Sequence, residues 1–278
     1  MIFDGFRAAN GAVVALFLAV IAGLTVTGVA LASFQVSLSA LAGPGVPIAA
    51  MVAVNLLRLG GMAVIILWLG LLRLIDVGLK WSQLPSSFLW TAAVWVGAQV
   101  IALVIAVLEG SAVTLDERWK DPGAIALLGR LGYQVVGVAL FEEVAYRGFL
   151  LPQCYLWVRR QWPARPVIHL PVAMLVSQGA FSVSHVPLLL YAGMHGVDLL
   201  LFLVGIAVFG AFFAAVYMRS GNLFLAMGVH VLVTTPTVLI ATTAVDWALI
   251  AAAALALLAG WTLVDDATMA RARWLKLG

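Results

Sequence analysis

Glu142 and Glu143 stand side by side in VVGVALFEEVAYRGFLL, a stretch that begins at Val135 and is otherwise largely apolar. A carboxylate at membrane depth is costly, and an ionisable residue there points by default to function. Helical spacing puts Glu143 and Arg147 at i and i+4, on one face and in the favoured order for a pair. Glu142 lies about 100° round the helix, on the face of Tyr146. Two ionised carboxylates this close in low dielectric repel, so one needs a cation or takes up a proton. Arg147 meets that need for Glu143 and leaves Glu142 to serve as a general base. A buried ion pair between helices, beside a second, water-facing acid, accounts for the same pattern without chemistry.

Two further polar groups fall in apolar runs. In Phe181-Ser182-Val183-Ser184-His185, Phe181 and His185 share a helix face at i and i+4. In Met227-Gly228-Val229-His230, the histidine has Thr234 one turn on, and Gly228 permits close approach of another helix. Counted at 1.5 Å per residue from the inner ends of their helices, Glu142 and His185 lie at about 25 and 24 Å, and His230 at about 16 Å. The first two can meet laterally, and a tilt or kink has to bring in the third. His169 and His195 fall near loop ends and read as interfacial. Asn55, Arg58, Gln99 and Gln134 read as interhelical hydrogen-bonding residues, with contact to a substrate carboxylate as the alternative for Arg58. HExxH, GxSxG and Walker A patterns are absent from the sequence. Ser182 shares a face with His185, but no third group stands ready to orient that histidine.

The elements that must position these residues are membrane helices. The 278 residues are 64% hydrophobic and 10% charged, with mean hydropathy +1.13, against about 25% charged in a soluble domain. The fold class expected is all-α, a polytopic membrane helix bundle. About eight apolar runs have spanning length: 11–33, 47–72, 87–109, 124–157, 168–190, 197–218, 222–241 and 246–264. The fourth is too long for one straight crossing, and Pro152 is expected to kink or end it. The first is too long for the core of a cleavable signal and reads as an uncleaved span. Arg7, Arg73, Lys80, Arg159, Arg160, Arg165, Arg219, Arg271, Arg273 and Lys276 fall on one side of this topology, and Arg118, Lys120 and Arg130 on the other. The positive-inside rule then puts both termini in the cytoplasm. Asp121-Pro122-Gly123 reads as a turn before the fourth span. Cys154 is the only cysteine, so it forms no intrachain disulfide and reads as a small packing residue. No basic surface suited to nucleic acid is present, which leaves the lipid bilayer as the evident partner.

FEEVAYRG fits E-E-x-x-x-R, FSVSH fits F-x-x-x-H, and a further histidine follows in SGNLFLAMGVH. This set, in this order over roughly residues 124–240, resembles the CPBP family of intramembrane proteases. That family includes the type II CAAX prenyl endopeptidases and the bacterial Abi proteins of bacteriocin processing and self-immunity. Three parts are expected: N-terminal transmembrane helices over 1–123 and a last transmembrane helix with a cytoplasmic tail over 242–278, both read from their apolar runs, and between them a catalytic helix core over 124–241, which the resemblance implies. The resemblance also implies that Glu142 activates the attacking water with help from His185. Glu143 and Arg147 would hold the helix and tune the site, His230 would stabilise the oxyanion, and Phe181 and Thr234 would belong to the substrate and oxyanion surroundings. The family often carries Asn where this chain has Thr234, so oxyanion support is the departure from its pattern. The substrate implied is a peptide or protein at the membrane, lipidated or not, and the setting a bacterial plasma membrane. No cofactor is expected, although Glu142, His185 and His230 could alternatively form an open zinc site. A non-catalytic scaffold or an immunity and regulatory protein is the competing reading. A proton-relay transporter is a third, for which the sequence shows no internal repeat.

Overall fold

A computed structural model describes residues 3, 5–42, 56–120, 129 and 131–274. Asn55, the turn at residues 121–123, Arg130 and Lys276 lie outside the described residues, as do the start of the second expected span and of the fourth. Among the described residues the chain is helical and forms no strand, with one isolated antiparallel bridge between Leu115 and Ile240. Three helical stretches among the described residues are long and apolar enough to cross a membrane: Trp81–Leu108, Pro166–Tyr191 and Gly196–Ser220.

The helices are α1 (Gly11–Ala42), α2 (Leu56–Leu69), α3 (Leu84–Leu108), α4 (131–161), α5 (Pro166–Val183), α6 (Val186–Tyr191), α7 (Gly196–Ser220), α8 (Leu223–Thr234) and α9 (Asp246–Trp274). Prolines open several of them. Pro85, Pro166 and Pro187 occupy first-turn positions, where a missing N–H removes no helical bond.

Two expectations about these helices need correction. Pro152 does not end the fourth helix, which runs on to Gln161. The segment before it, Glu143–Leu150, is a π-helix. Pro152 therefore falls in the first turn of the α-helical stretch that follows, where its lack of an N–H is tolerated. The seventh apolar run does not continue as helix to residue 241. α8 stops at Thr234 because Thr235 precedes Pro236 and takes an extended conformation, φ −118° and ψ 127°. Its 12 residues reach only about 18 Å.

The chain divides into two compact units, Met1–Trp81 with Val135–Ala214, and Ser82–Gln134 with Ala215–Gly278. In the first, Arg58 on α2 donates to the Leu24 carbonyl of α1 at 2.9 Å, an interhelical bond of the kind its position suggests. The Gln153 carboxamide accepts from the Ala9 N–H at 2.7 Å and donates to the Arg7 carbonyl at 3.0 Å. These bonds tie the N-terminal segment to the far end of α4, where Phe3 packs on Tyr155 at 5.4 Å between ring centroids.

In the second unit α8 packs against α3 and α9. Gly221, at φ +66°, makes the turn into α8, and Asn222 caps it by accepting from the Leu225 N–H. Past Pro236 the extended chain has lost its helical hydrogen bonds, and in an apolar setting each backbone group needs a new partner. The loop before residue 121 and the side chains of α3 supply them. Asp116 N–H donates to the Leu239 carbonyl at 2.8 Å, and Ala241 N–H to the Thr114 carbonyl at 3.0 Å. Trp95 and Trp119 indoles donate to the Thr237 and Val238 carbonyls, and Gln99 accepts from the Leu239 N–H at 2.8 Å. Gln99 thus holds a loop rather than a neighbouring helix.

Arg118 closes this arrangement. Its guanidinium grips both oxygens of Asp116 at 2.8 Å and reaches Asp246, at the start of α9, at 2.9 Å. The Asp116 carboxyl is held below the ordinary carboxylate range, chiefly by the Arg118 side-chain hydrogen bond, which outweighs the opposing effect of burial. A carboxyl lowered on folding contributes stability above its unfolded pKa and loses that contribution as pH falls through its folded pKa. Arg118 is 41% exposed, so solvent screening limits the gain to about 1 kcal/mol. Arg118→Ala is therefore expected to lower Tm by about 2–4 °C at neutral pH, with the difference shrinking as pH falls below about 4 and disappearing once Asp116 is protonated in the folded protein. Unfolding scans of both proteins at steps from neutral pH down into strong acid check this, and a difference that does not shrink over that range would refute it.

Candidate active site

The double glutamate is delivered by α4. Over Glu143–Leu150 this helix takes the wider π form, a geometry frequent at functional sites. All eight residues of that segment are buried. The Glu143–Arg147 pair read from their spacing forms, with Arg147 Nη1 donating to Glu143 Oε1 at 3.0 Å. The two side chains are 1% and 0% exposed. Arg147 also lies over the Phe181 ring, with its guanidinium carbon 4.1 Å from the ring centroid, and near Phe213 at 5.5 Å. A contact of this kind suits a planar, weakly hydrated cation.

Glu142 differs in its surroundings. Its side chain keeps 17% exposure, and Glu142 Oε1 lies 3.8 Å from His185 Nε2, which keeps 25%. His185 sits in the turn between α5 and α6 rather than within one continuous helix. There its Nδ1 is 2.8 Å from the Phe181 carbonyl. A carbonyl only accepts, so Nδ1 carries the proton, and in the neutral ring Nε2 is left as an acceptor. The Phe181 ring packs edge-on to the imidazole at 4.9 Å and to Tyr146 at 5.0 Å. One residue thereby orients the histidine by its backbone and covers the arginine by its ring.

Ser182 turns away from His185. Its hydroxyl donates to the Leu203 carbonyl on α7 at 2.6 Å, which argues against service as a nucleophile. Ser184 donates to the Phe181 carbonyl at 2.7 Å. Ser177, which the sequence reading passes over, donates to the Tyr146 carbonyl at 2.8 Å and joins α5 to α4. Its neighbour Gln178 is buried near the same face. Both were detectable only as polar letters in an apolar run.

The structure thus gathers Glu142, Glu143, Arg147, Phe181 and His185 in the first unit. His230 and Thr234 belong to α8 in the second. His230 is buried. The Thr234 hydroxyl donates to the His230 carbonyl at 3.0 Å, so its proton is spent on its own helix. Gly228, two residues before His230, meets Thr91 of α3 so closely that an added Cβ would stand 2.8 Å from Thr91 Cγ2. Of the remaining histidines, His169 is buried and bonds to the Trp162 carbonyl at 2.8 Å, and His195 is exposed before α7. Among the described residues no three His, Cys, Asp or Glu side chains gather closely enough to hold a metal ion.

Residues 124–236 match the family model described as Type II CAAX prenyl endopeptidase Rce1-like. No curated protein and no solved structure matches the chain. The resemblance carried by FEEVAYRG, FSVSH and the late histidine is borne out over that segment. The description names an endopeptidase, a hydrolase of peptide bonds, and the match, with the three long apolar helices among the described residues, points to an integral membrane protein.

Proposed function

We propose that the protein is an intramembrane endopeptidase that uses a glutamate-activated water, in a multi-pass bundle of about eight helical segments. The observation that carries this reading is the Glu142–His185 pair. At 3.8 Å the two groups are too far apart for a direct hydrogen bond, and with the ring neutral each turns an acceptor to the gap. One water donating to both spans that distance. Its oxygen then keeps a lone pair for attack on a peptide carbonyl, and Glu142 takes the proton as the bond forms. Phe181 fixes the tautomer through His185 Nδ1. Glu143 and Arg147 neutralise each other beside the base, so the second carboxylate does not compete for that proton. His230 is assigned the oxyanion role that the family resemblance gives it. Thr234 is assigned to support it. The reaction so written needs no metal. The core 124–241 carries these residues, and the setting proposed is a bacterial plasma membrane with both termini cytoplasmic.

Thr234 favours a second reading. A hydroxyl turned back on its own helix supports a lapsed protease retained as a membrane scaffold or immunity factor. Cleavage assays in liposomes, with fluorogenic peptides lipidated and unlipidated, separate the two. The protease reading expects turnover in the wild type that chelators leave intact, and a rise of about tenfold in Thr234→Asn, whose longer amide reaches further as an oxyanion donor. A zinc-dependent version would lose activity to chelators and regain it with zinc. Silence in the wild type with turnover in Thr234→Asn identifies the lapsed protease. Silence in both favours the scaffold.

A further inference from the structure

We propose that Gly210 is a positioning residue of this site: the side chain it lacks is the space in which Arg147 is held against Glu143. The catalytic part of this inference rests on the protease reading above.

Gly210 lies in the interior of α7, with ordinary helical backbone. Alanine is the better residue at such a place, because glycine weakens a helix. Its retention therefore needs a packing reason, and the surroundings supply one. A Cβ built on Gly210 would stand 2.8 Å from Gln178 Oε1, 2.9 Å from Phe181 Cδ1 and 3.1 Å from Arg147 Nη2. The first two are closer than real carbon atoms approach. Gly205, on the same helix, has nothing within 4 Å of its Cβ position. The restriction thus belongs to the place on the helix and not to the helix.

The three crowded atoms come from α4 and α5, so the α7 backbone is a third wall around the guanidinium. Arg147 is bonded to Glu143 through Nη1. Among the described residues its Nε and Nη2, and Oε1 of Gln178, are buried with no hydrogen-bond partner. The Phe181 ring covers one face of the cation, and contact with Gly210 bounds the Nη2 edge. An added methyl must push out Phe181, Gln178 or Arg147. Displacing Phe181 also disturbs the carbonyl that holds His185 Nδ1 and the ring packed on that imidazole. Gly210 touches none of the groups that carry out the reaction, and acts through those that hold them.

The test compares wild type, Gly205→Ala, Gly210→Ala, Gln178→Ala and Gln178→Ala/Gly210→Ala, each as the full chain in liposomes, by kcat, KM and thermal unfolding. Gly205→Ala is expected to match wild type in turnover and to unfold no earlier. Gly210→Ala is expected to lower kcat by about tenfold to a hundredfold, since small misplacements near the chemistry cost that much, with KM within about twofold. In the Gln178→Ala background, which frees room beside the glycine, the same change should cost at least about threefold less, as coupled neighbours do. A Gly210→Ala protein with wild-type kcat, a loss confined to KM, or a loss equal in both backgrounds overturns the inference and leaves the protease reading standing. A wild type without turnover sinks that reading, and the catalytic role of Gly210 with it.

Discussion

Glu142→Gln is expected to lower kcat by about 10³-fold while leaving Tm within about 2 °C of wild type. The substitution keeps the shape of the side chain and removes its negative charge. Glu142 is partly exposed and 3.8 Å from His185 Nε2, so a neutral amide is tolerated there. What fails is the chemistry. An amide has no basicity for the proton that leaves water, and its NH₂ can donate directly to Nε2, occupying the acceptor the water needs. The measurement is steady-state cleavage in liposomes beside an unfolding scan of the same preparation. Turnover within tenfold of wild type would remove Glu142 from the reaction. A protein that fails to fold would show instead that the side chain is structural. The scaffold reading makes the opposite prediction, that Glu142 replacement leaves the biological phenotype intact.

Arg147→Met is expected to destabilise the protein by about 3–5 kcal/mol. Glu143 is 1% exposed, and losing its cation leaves a carboxylate buried without its charge partner. The double variant Glu143→Leu/Arg147→Met should regain most of that loss. Two apolar side chains of similar bulk replace a buried ion pair at little cost, whereas removing one partner strands the other. Chemical unfolding of the three proteins, followed by tryptophan fluorescence, gives the comparison. A single variant as stable as wild type would show that Glu143 has enough other partners, and a double no better than the single would show that Phe181 and Phe213 need the guanidinium itself. Activity in the restored double variant then reports what the pair does beyond folding. The proposed site expects it to be low, because an uncharged neighbour alters the field in which Glu142 works.

These expectations differ in how far they were legible beforehand. The Glu143–Arg147 pair was, because i and i+4 meet on any helix, and the pairing survives the π form of the segment. The Phe181–His185 contact was legible for the same reason. The end of α8 was written in Thr235-Pro236, where the residue before proline is driven to extended geometry, yet apolar composition alone ran the span on to 241. Pro152 misled in the other direction, since its effect depends on which hydrogen-bond register precedes it. Gly210 and Gln178 carried no readable signal. A glycine in an apolar run is common, and its significance lies in atoms contributed by residues distant in the chain, Arg147, Gln178 and Phe181.

What the amino-acid sequence by itself determined is the class of protein and the inventory of its chemistry. An apolar composition this extreme leaves no soluble alternative, and carboxylates, an arginine and histidines placed inside it must find partners there. These conclusions need only transfer energies and helical spacing, which are local. The tertiary structure decided which nitrogen of His185 faces Glu142, that Ser182 spends its hydroxyl on Leu203, and that Arg147 is boxed in by Phe181 and the bare backbone at Gly210. Each is a choice among partners of similar intrinsic strength, and only the packing of distant helices settles which partner lies within reach.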